Sequence, residues 1–235
     1  DLGTICNLNC VYCFTQGSSA CSTNKNVTPL TDAELTFVLN DLACAGVRTV
    51  SVVGAGEPTL SSSFFRFVSR ATELDMAVVL FTNGIALSQD SKLVSFLFDV
   101  GAAVVMKLNS RRPELQDAVV GRKGYAAVRD RALKELIRTG YNASDPTRLG
   151  VDTLVFKGNL SEVPEIHRWC RENNVYPLTA EFIPAGRTTG GFAEFGIPKP
   201  GLDSTMRVIA EEALRPISSV ERSGLVQTLR QIDDH

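Results

Sequence analysis

Short runs rich in β-branched and aromatic residues alternate with amphipathic stretches along this 235-residue chain, and that alternation is what most constrains its fold. Strands are expected at residues 2–5, 48–53, 77–81, 102–108, 150–156 and 176–183, with amphipathic segments between them. Six such βα units point to an α/β protein with a parallel sheet. Thr31 and Glu34 form a capping-box pattern, followed by Leu35, Val38, Leu39 and Leu42 at helical spacing. Further helices are expected after Ser61–Ser63, over Lys92–Phe98, along the face Tyr125, Val128, Ala132 and Leu136, and from Ser161 with Glu162 and Pro164. Two short helices are expected to end the chain, the second opened by a capping box from Ser218 to Glu221.

The loop after the first expected strand carries Cys6, Cys10 and Cys13, a C-x3-C-x2-C spacing with Tyr12 before the last thiol. In parallel α/β barrels the C-terminal ends of the strands form the catalytic face. Three thiolates are soft ligands suited to zinc or to an iron-sulfur cluster. A cubane cluster takes four cysteines, so three would leave one iron open. Zinc with Cys21 as fourth ligand is the closed alternative, and an open position is what separates a reactive centre from a structural one. The second expected strand runs into Gly54-Ala55-Gly56-Glu57-Pro58, where glycines let the backbone approach a ligand closely. Cys44 and Cys170 read as small packing residues. Six cysteines with three of them clustered do not resemble a disulfide framework and fit a reducing cytoplasm.

The cysteine spacing, its penultimate aromatic and the Gly-Ala-Gly-Glu-Pro loop one βα unit later together resemble the radical S-adenosylmethionine (SAM) superfamily. The resemblance implies a partial (β/α)6 TIM-like barrel, the radical SAM core, open at the side. It implies that Cys6, Cys10 and Cys13 hold a [4Fe-4S] cluster whose open iron is chelated by SAM, with Tyr12 on the adenine side. Gly54, Ala55, Gly56 and Glu57 correspond to the GGEP motif that contacts the SAM amino group, with Ala55 standing where that motif has glycine. Thr82-Asn83-Gly84 also recurs in the family, which makes Asn83 a cofactor-side candidate. By the same likeness Ser110 and Arg122 contact the SAM carboxylate. The implied chemistry is reductive cleavage of SAM to a 5'-deoxyadenosyl radical that abstracts a substrate hydrogen, with a flavodoxin or ferredoxin-type protein as electron donor.

Alternation along the fourth expected strand places Val105, Lys107 and Asn109 on one face and Val104, Met106 and Leu108 on the other. A lysine facing the barrel interior needs a carboxylate or a ligand. The sixth expected strand offers Glu181, on the same face as Thr179 and Ile183, as that partner. Lys107, Asn109, Glu181 and Arg187 are the candidate substrate-contacting residues. The glycine- and proline-rich residues 184–201 are expected to form a lid. The division expected is a core barrel at 1–183 and a lid loop with a helical extension at 184–235. The relatives the chain most resembles are of SPASM or twitch type, acting on peptides or small molecules in natural-product tailoring. Cys21, Cys44 and Cys170 do not supply an auxiliary-cluster pattern, which leaves one cluster or a chain that ends before such an extension. An epimerase would need a hydrogen donor, for which Cys21 is the loop candidate.

A net charge of -2 gives no basic surface on average, so nucleic acid is unlikely, and no apolar run reaches membrane-spanning length. The chain begins on Asp1 inside an expected strand, which points to sequence upstream. The competing class is a non-catalytic iron-sulfur or zinc module for electron transfer or assembly.

Overall fold

A computed structural model of the chain describes residues 2–15, 30–183, 186–188, 196 and 199–214. Five parallel strands form one sheet in chain order: β1 (Thr49–Val52), β2 (Ala77–Thr82), β3 (Ala103–Lys107), β4 (Leu149–Val155) and β5 (Tyr176–Glu181). Seven helices accompany them: α1 (Asp32–Cys44), α2 (Phe64–Glu73), α3 (Ser91–Asp99), α4 (Pro113–Val120), α5 (Tyr125–Thr139), α6 (Val163–Glu172) and α7 (Lys199–Leu214). Sequential order with parallel pairing throughout is the topology of a partial (β/α) barrel, here a half-barrel.

The expected first strand is not a strand. Leu2–Ile5 runs beside the sheet as irregular chain, with a backbone bond from Glu57 N–H to the Ile5 carbonyl at 2.8 Å. Its approach is to the loop after β1 and not to β1 itself, so no ladder forms.

One side of the sheet supplies the main core. Val50 and Val52 of β1, Val78 and Leu80 of β2, Val104 and Met106 of β3, and Leu149 and Val151 of β4 are buried together against the helices. Each such side chain stabilises the fold by roughly 1.5–3 kcal/mol relative to exposure. α1 begins as its sequence indicates: Thr31 accepts from the Glu34 N–H and the Glu34 carboxylate accepts from the Thr31 N–H at 2.7 Å. Leu35 and Leu39 are buried, whereas Val38 is exposed. α6 opens differently from expectation, because Glu162 and not Ser161 occupies the cap position. α4 has no counterpart in the sequence reading, although Pro113 in its first turn and Gly121 after its last are ordinary start and stop signals.

A second, smaller apolar cluster lies at the C-terminal ends of the strands. It joins Leu8, Ile85, Val119, Val120, Tyr125, Phe156 and Phe182, and Cys6, Cys10 and Tyr12 pack against it. α7 packs on the outside, Ile209 meeting Val155 and Val163. The expected lid at 184–201 is described only in part, and Cys21 and Ser218–Glu221 lie outside the described residues. Among the described residues no helix is long and apolar enough to cross a membrane.

Candidate active site

The cysteine loop, residues 6–13, is held from every side by the loops that leave the strands. Asn9 and Val11 donate their N–H groups to the Val120 and Val119 carbonyls at the end of α4, at 3.1 and 2.9 Å. Gly121 adopts φ 64°, and a Cβ there would meet the Asn9 carbonyl, so this close approach requires glycine. Asn7 accepts from Asn83 Nδ2 at 2.7 Å through its side chain and from Arg122 at 3.2 Å through its carbonyl. Thr15 donates to the Ala55 carbonyl at 2.9 Å and lies 3.2 Å from Cys13 Sγ. Arg187 donates its N–H to the Cys13 carbonyl at 3.0 Å, and its guanidinium reaches the Asn9 side chain.

The Gly54–Pro58 loop lies alongside. Gly54 and Gly56 are required by the local packing, because a Cβ on Gly54 would press on the Gly56 carbonyl and one on Gly56 would overlap the Thr4 and Ile5 backbone. Gly56→Ala is therefore expected to push the N-terminal segment away from this loop at a cost of about 1–3 kcal/mol. Thermal unfolding of the apoprotein measures the loss, and reduced iron uptake on reconstitution measures the displacement.

Glu57 is buried and its carboxylate accepts from protein groups: Thr59 Oγ1 at 2.7 Å, Thr82 Oγ1 at 2.6 Å and the Asn83 N–H at 2.8 Å. Burial nevertheless raises its pKa, outweighing those donors. Its function is to lock the mouths of β1 and β2 together, which orients the loop's backbone. Asn83 is buried and fixed at four atoms: besides Glu57 and Asn7, its Oδ1 accepts from Ile85 N–H and its carbonyl accepts from Tyr125 Oη at 2.7 Å.

The end of β3 organises the far side. Asn109 Nδ2 donates to Tyr12 Oη at 2.7 Å, while its Oδ1 accepts from Leu154 N–H and its carbonyl accepts from Asn159. Ser110 is equally enclosed: its hydroxyl bonds the Glu162 carboxylate, its N–H donates to Gln116 Oε1, and its carbonyl accepts from the buried Arg129. Burial pushes the Glu162 carboxyl up, but Ser110, Arg112 and the Arg111 N–H together hold it below the usual carboxylate range. Asn109 and Ser110 are thus fully buried. Asn7, Gln116, Arg129, Asn159 and Glu162 were not singled out in the sequence. The signal available was a cluster of amide and charged side chains just beyond strand ends, where a barrel places its site.

Lys107 faces the concave side as its alternation indicates, with Val104 and Met106 in the outer core. Its partner is Asp152, at 2.7 Å, and not Glu181. Register explains the correction. Lys107 stands beside Asp152 and Asp152 beside Leu178, whereas Glu181 stands beside Val155 and Thr179 beside Thr153, on the opposite face. Thr179 there meets His167 of α6 at 2.7 Å. Glu181 is exposed at the end of β5 and takes no part in the concave face.

The thiols of Cys6, Cys10 and Cys13 are free and half-buried. Burial raises the Cys6 pKa and pushes that of Cys10 up to about 11; the Glu57 and Cys13 charges add to the rise at Cys6, and the Cys6 and Cys13 charges to that at Cys10. The protein alone therefore favours neutral thiols at Cys6 and Cys10, and metal binding there would release protons. No ready-made cage of three metal-binding side chains occurs among the described residues. A four-iron cubane binds each thiolate to a different iron, so its ligands stand farther apart than those of a single ion. Three soft donors on one fixed loop, one short of a cubane's complement, fit such a cluster.

A parallel half-barrel whose strand mouths grip a three-cysteine loop is a barrel that carries a set of soft donors at its catalytic end. The sequence matches the Radical SAM superfamily over residues 2–173, and the chain belongs to that family. Members use a [4Fe-4S] cluster and SAM. Mycofactocin maturase MftC of Mycolicibacterium smegmatis is 28% identical over 189 residues, covering 80% of this chain and 44% of that protein. An S-adenosylmethionine-dependent nucleotide dehydratase of Flammeovirga pacifica is 30% identical over 159 residues, covering 67% of this chain and 52% of its own. The chain thus spans about half the length of these curated relatives. In fold it is similar to Streptococcus suis SuiB bound to S-adenosylmethionine, with a TM-score of 0.67 at 17% identity over 88% of this chain and 45% of that one. SuiB bound to its precursor peptide SuiA gives 0.66 at 17% identity, over 90% of this chain and 45% of that one.

Proposed function

We propose that this chain is the catalytic core of a radical SAM enzyme acting on a peptide or a small molecule in natural-product tailoring. When bound, a [4Fe-4S] cluster and SAM would supply one-electron chemistry, the reductive generation of a 5'-deoxyadenosyl radical for abstracting a substrate hydrogen atom. The observation that carries this reading is the binding of the three-thiol loop to the Gly54–Glu57 loop, through Thr15 to Ala55 and Glu57 to Ile5. A zinc knuckle has no need of a glycine loop pinned to it.

The chain's own residues divide the remaining work. Cys6, Cys10 and Cys13 are the ligands. Gly54, Ala55 and Gly56 offer backbone for the SAM amino end, aimed by Glu57, and Asn83 fixes the floor beneath. Arg122, half-buried and touching the Asn7 carbonyl, supplies a cation beside the cysteine loop for a carboxylate. Ser110 has its hydroxyl committed to Glu162, so its part is to hold the β3 mouth. Asn109 likewise acts through Tyr12. The peptide reading is supported by SuiB's complex with the precursor peptide SuiA. A flavodoxin or ferredoxin-type donor in the cytoplasm would supply the electron.

Anaerobic reconstitution with iron and sulfide, followed by dithionite and SAM, tests the reading. 5'-Deoxyadenosine should form with turnover. Iron-loaded protein that never cleaves SAM would identify a non-catalytic iron-sulfur module, and zinc in anaerobically purified protein would identify a structural zinc site.

A further inference from the structure

We propose that the Lys107–Asp152 ion pair sets the reduction potential of the cluster held by Cys6, Cys10 and Cys13, acting across the ring of Tyr12. The inference rests on the proposed function for the presence of that cluster. Its own basis is three contacts on the concave face.

First, the pair is isolated. The remaining concave positions of the five strands carry no charge, and Lys107 and Asp152 are only 22% and 21% exposed. Charges in such a setting are screened far less than surface ones. Second, the pair is oriented. The Lys107 ammonium lies 5.3 Å from the centroid of the Tyr12 ring, so the positive end of the pair faces the cysteine loop. Third, Tyr12 is a fixed link. Asn109 donates to Tyr12 Oη at 2.7 Å, and Tyr12 lies in the chain between Cys10 and Cys13 and packs with Cys10 against the same apolar cluster. Net charge near the ligating sulfurs is one of the protein's means of tuning such clusters.

The consequence is electrostatic and signed. Reduction adds one electron, taken from a low-potential one-electron donor, to the cluster. A cation behind Tyr12 makes that addition easier and the Asp152 carboxylate makes it harder. The pair therefore holds a balance that each substitution tips in its own direction.

The test is an anaerobic redox titration of reconstituted protein with viologen mediators, followed by electron paramagnetic resonance, without SAM or substrate. Lys107→Gln should move the midpoint negative and Asp152→Asn should move it positive. A tenfold change in the reduced-to-oxidised ratio at fixed potential, about 59 mV for one electron, is the size expected. Lys107→Arg should leave the midpoint in place. If Asp152→Asn fails to fold, the Lys107→Gln/Asp152→Asn double variant replaces it, with a midpoint near that of the native protein. Unchanged potentials in the single variants, or shifts of the same sign, overturn the inference. Lys107→Gln with an unmoved potential and a raised KM would make Lys107 a substrate-binding residue instead. Failure of the native protein to assemble a four-iron cluster would overturn the proposed function itself, a result readable before any variant is made.

Discussion

Cys10→Ala is expected to abolish cluster binding and with it SAM cleavage, while leaving the apoprotein folded. Removing an outer partner of a metal ligand typically costs 10–100-fold. Loss of one of three ligands should exceed that, so 5'-deoxyadenosine formation should fall by at least about 100-fold. Stability should behave differently. Cys10 is packed against the apolar cluster at the strand mouths, with its thiol held neutral by burial. A buried neutral thiol acts as a small hydrophobe, and its replacement by alanine should cost about 1 kcal/mol. Iron analysis, visible absorption and product quantification read the first effect, and apoprotein melting reads the second. A Cys10→Ala protein that keeps its iron and its turnover would remove Cys10 from the ligand set.

Glu57→Ala is the second large effect, this time on the fold. The carboxylate is the shared acceptor for the Thr59 and Thr82 hydroxyls and the Asn83 N–H. Each buried donor left without an acceptor costs about 1–3 kcal/mol, so the alanine variant should lose roughly 3–4 kcal/mol. Glu57→Gln keeps one oxygen for Asn83 and presents an amide that the two hydroxyls accept, and should lose roughly 1 kcal/mol. Because burial raises the Glu57 pKa, the folded protein retains a proton that the unfolded chain has already released. Stability due to this group therefore declines as pH rises from the ordinary carboxylate value through the raised one. The glutamine variant should flatten that slope in pH-dependent denaturation, and an alanine variant as stable as the parent would show that water replaces the carboxylate.

Much of this was legible in the sequence, for reasons that also mark where legibility ended. The parallel α/β pattern, the positions of five strands, the capping box at Thr31 and the inward turn of Lys107 follow from local chemistry and period. The cysteines and the Gly-Ala-Gly-Glu-Pro loop were legible because their residue types are needed for one kind of chemistry. Parity in β5 was misread because its polar residues, Thr179 and Glu181, were assigned to an interior that instead receives Leu178. Period alone cannot say which face is the cavity, since that depends on register with β4. The N-terminal segment has strand-like composition, yet its neighbour is a loop with no ladder to offer. The ties of Asn109 and Ser110 to Gln116, Arg129 and Glu162 were not legible because these residues meet only in three dimensions. Gln116, Arg129 and Glu162 each look solvent-facing in one dimension.

The tie between Arg187 and the cysteine loop joins residues 178 positions apart, and it is reached only after β5 has been added to the sheet. A chain emerging from the ribosome presents its three thiols before the barrel that braces them, whose β5 comes some 170 residues afterwards, on the order of 10–30 s at usual synthesis rates. During that interval the thiols are a soft-metal trap without its walls, open to adventitious zinc or to oxidation. Topology would therefore time any delivery of iron and sulfide: a loading factor that waited for β5 would meet a finished socket, and one that acted earlier would meet a loose thread.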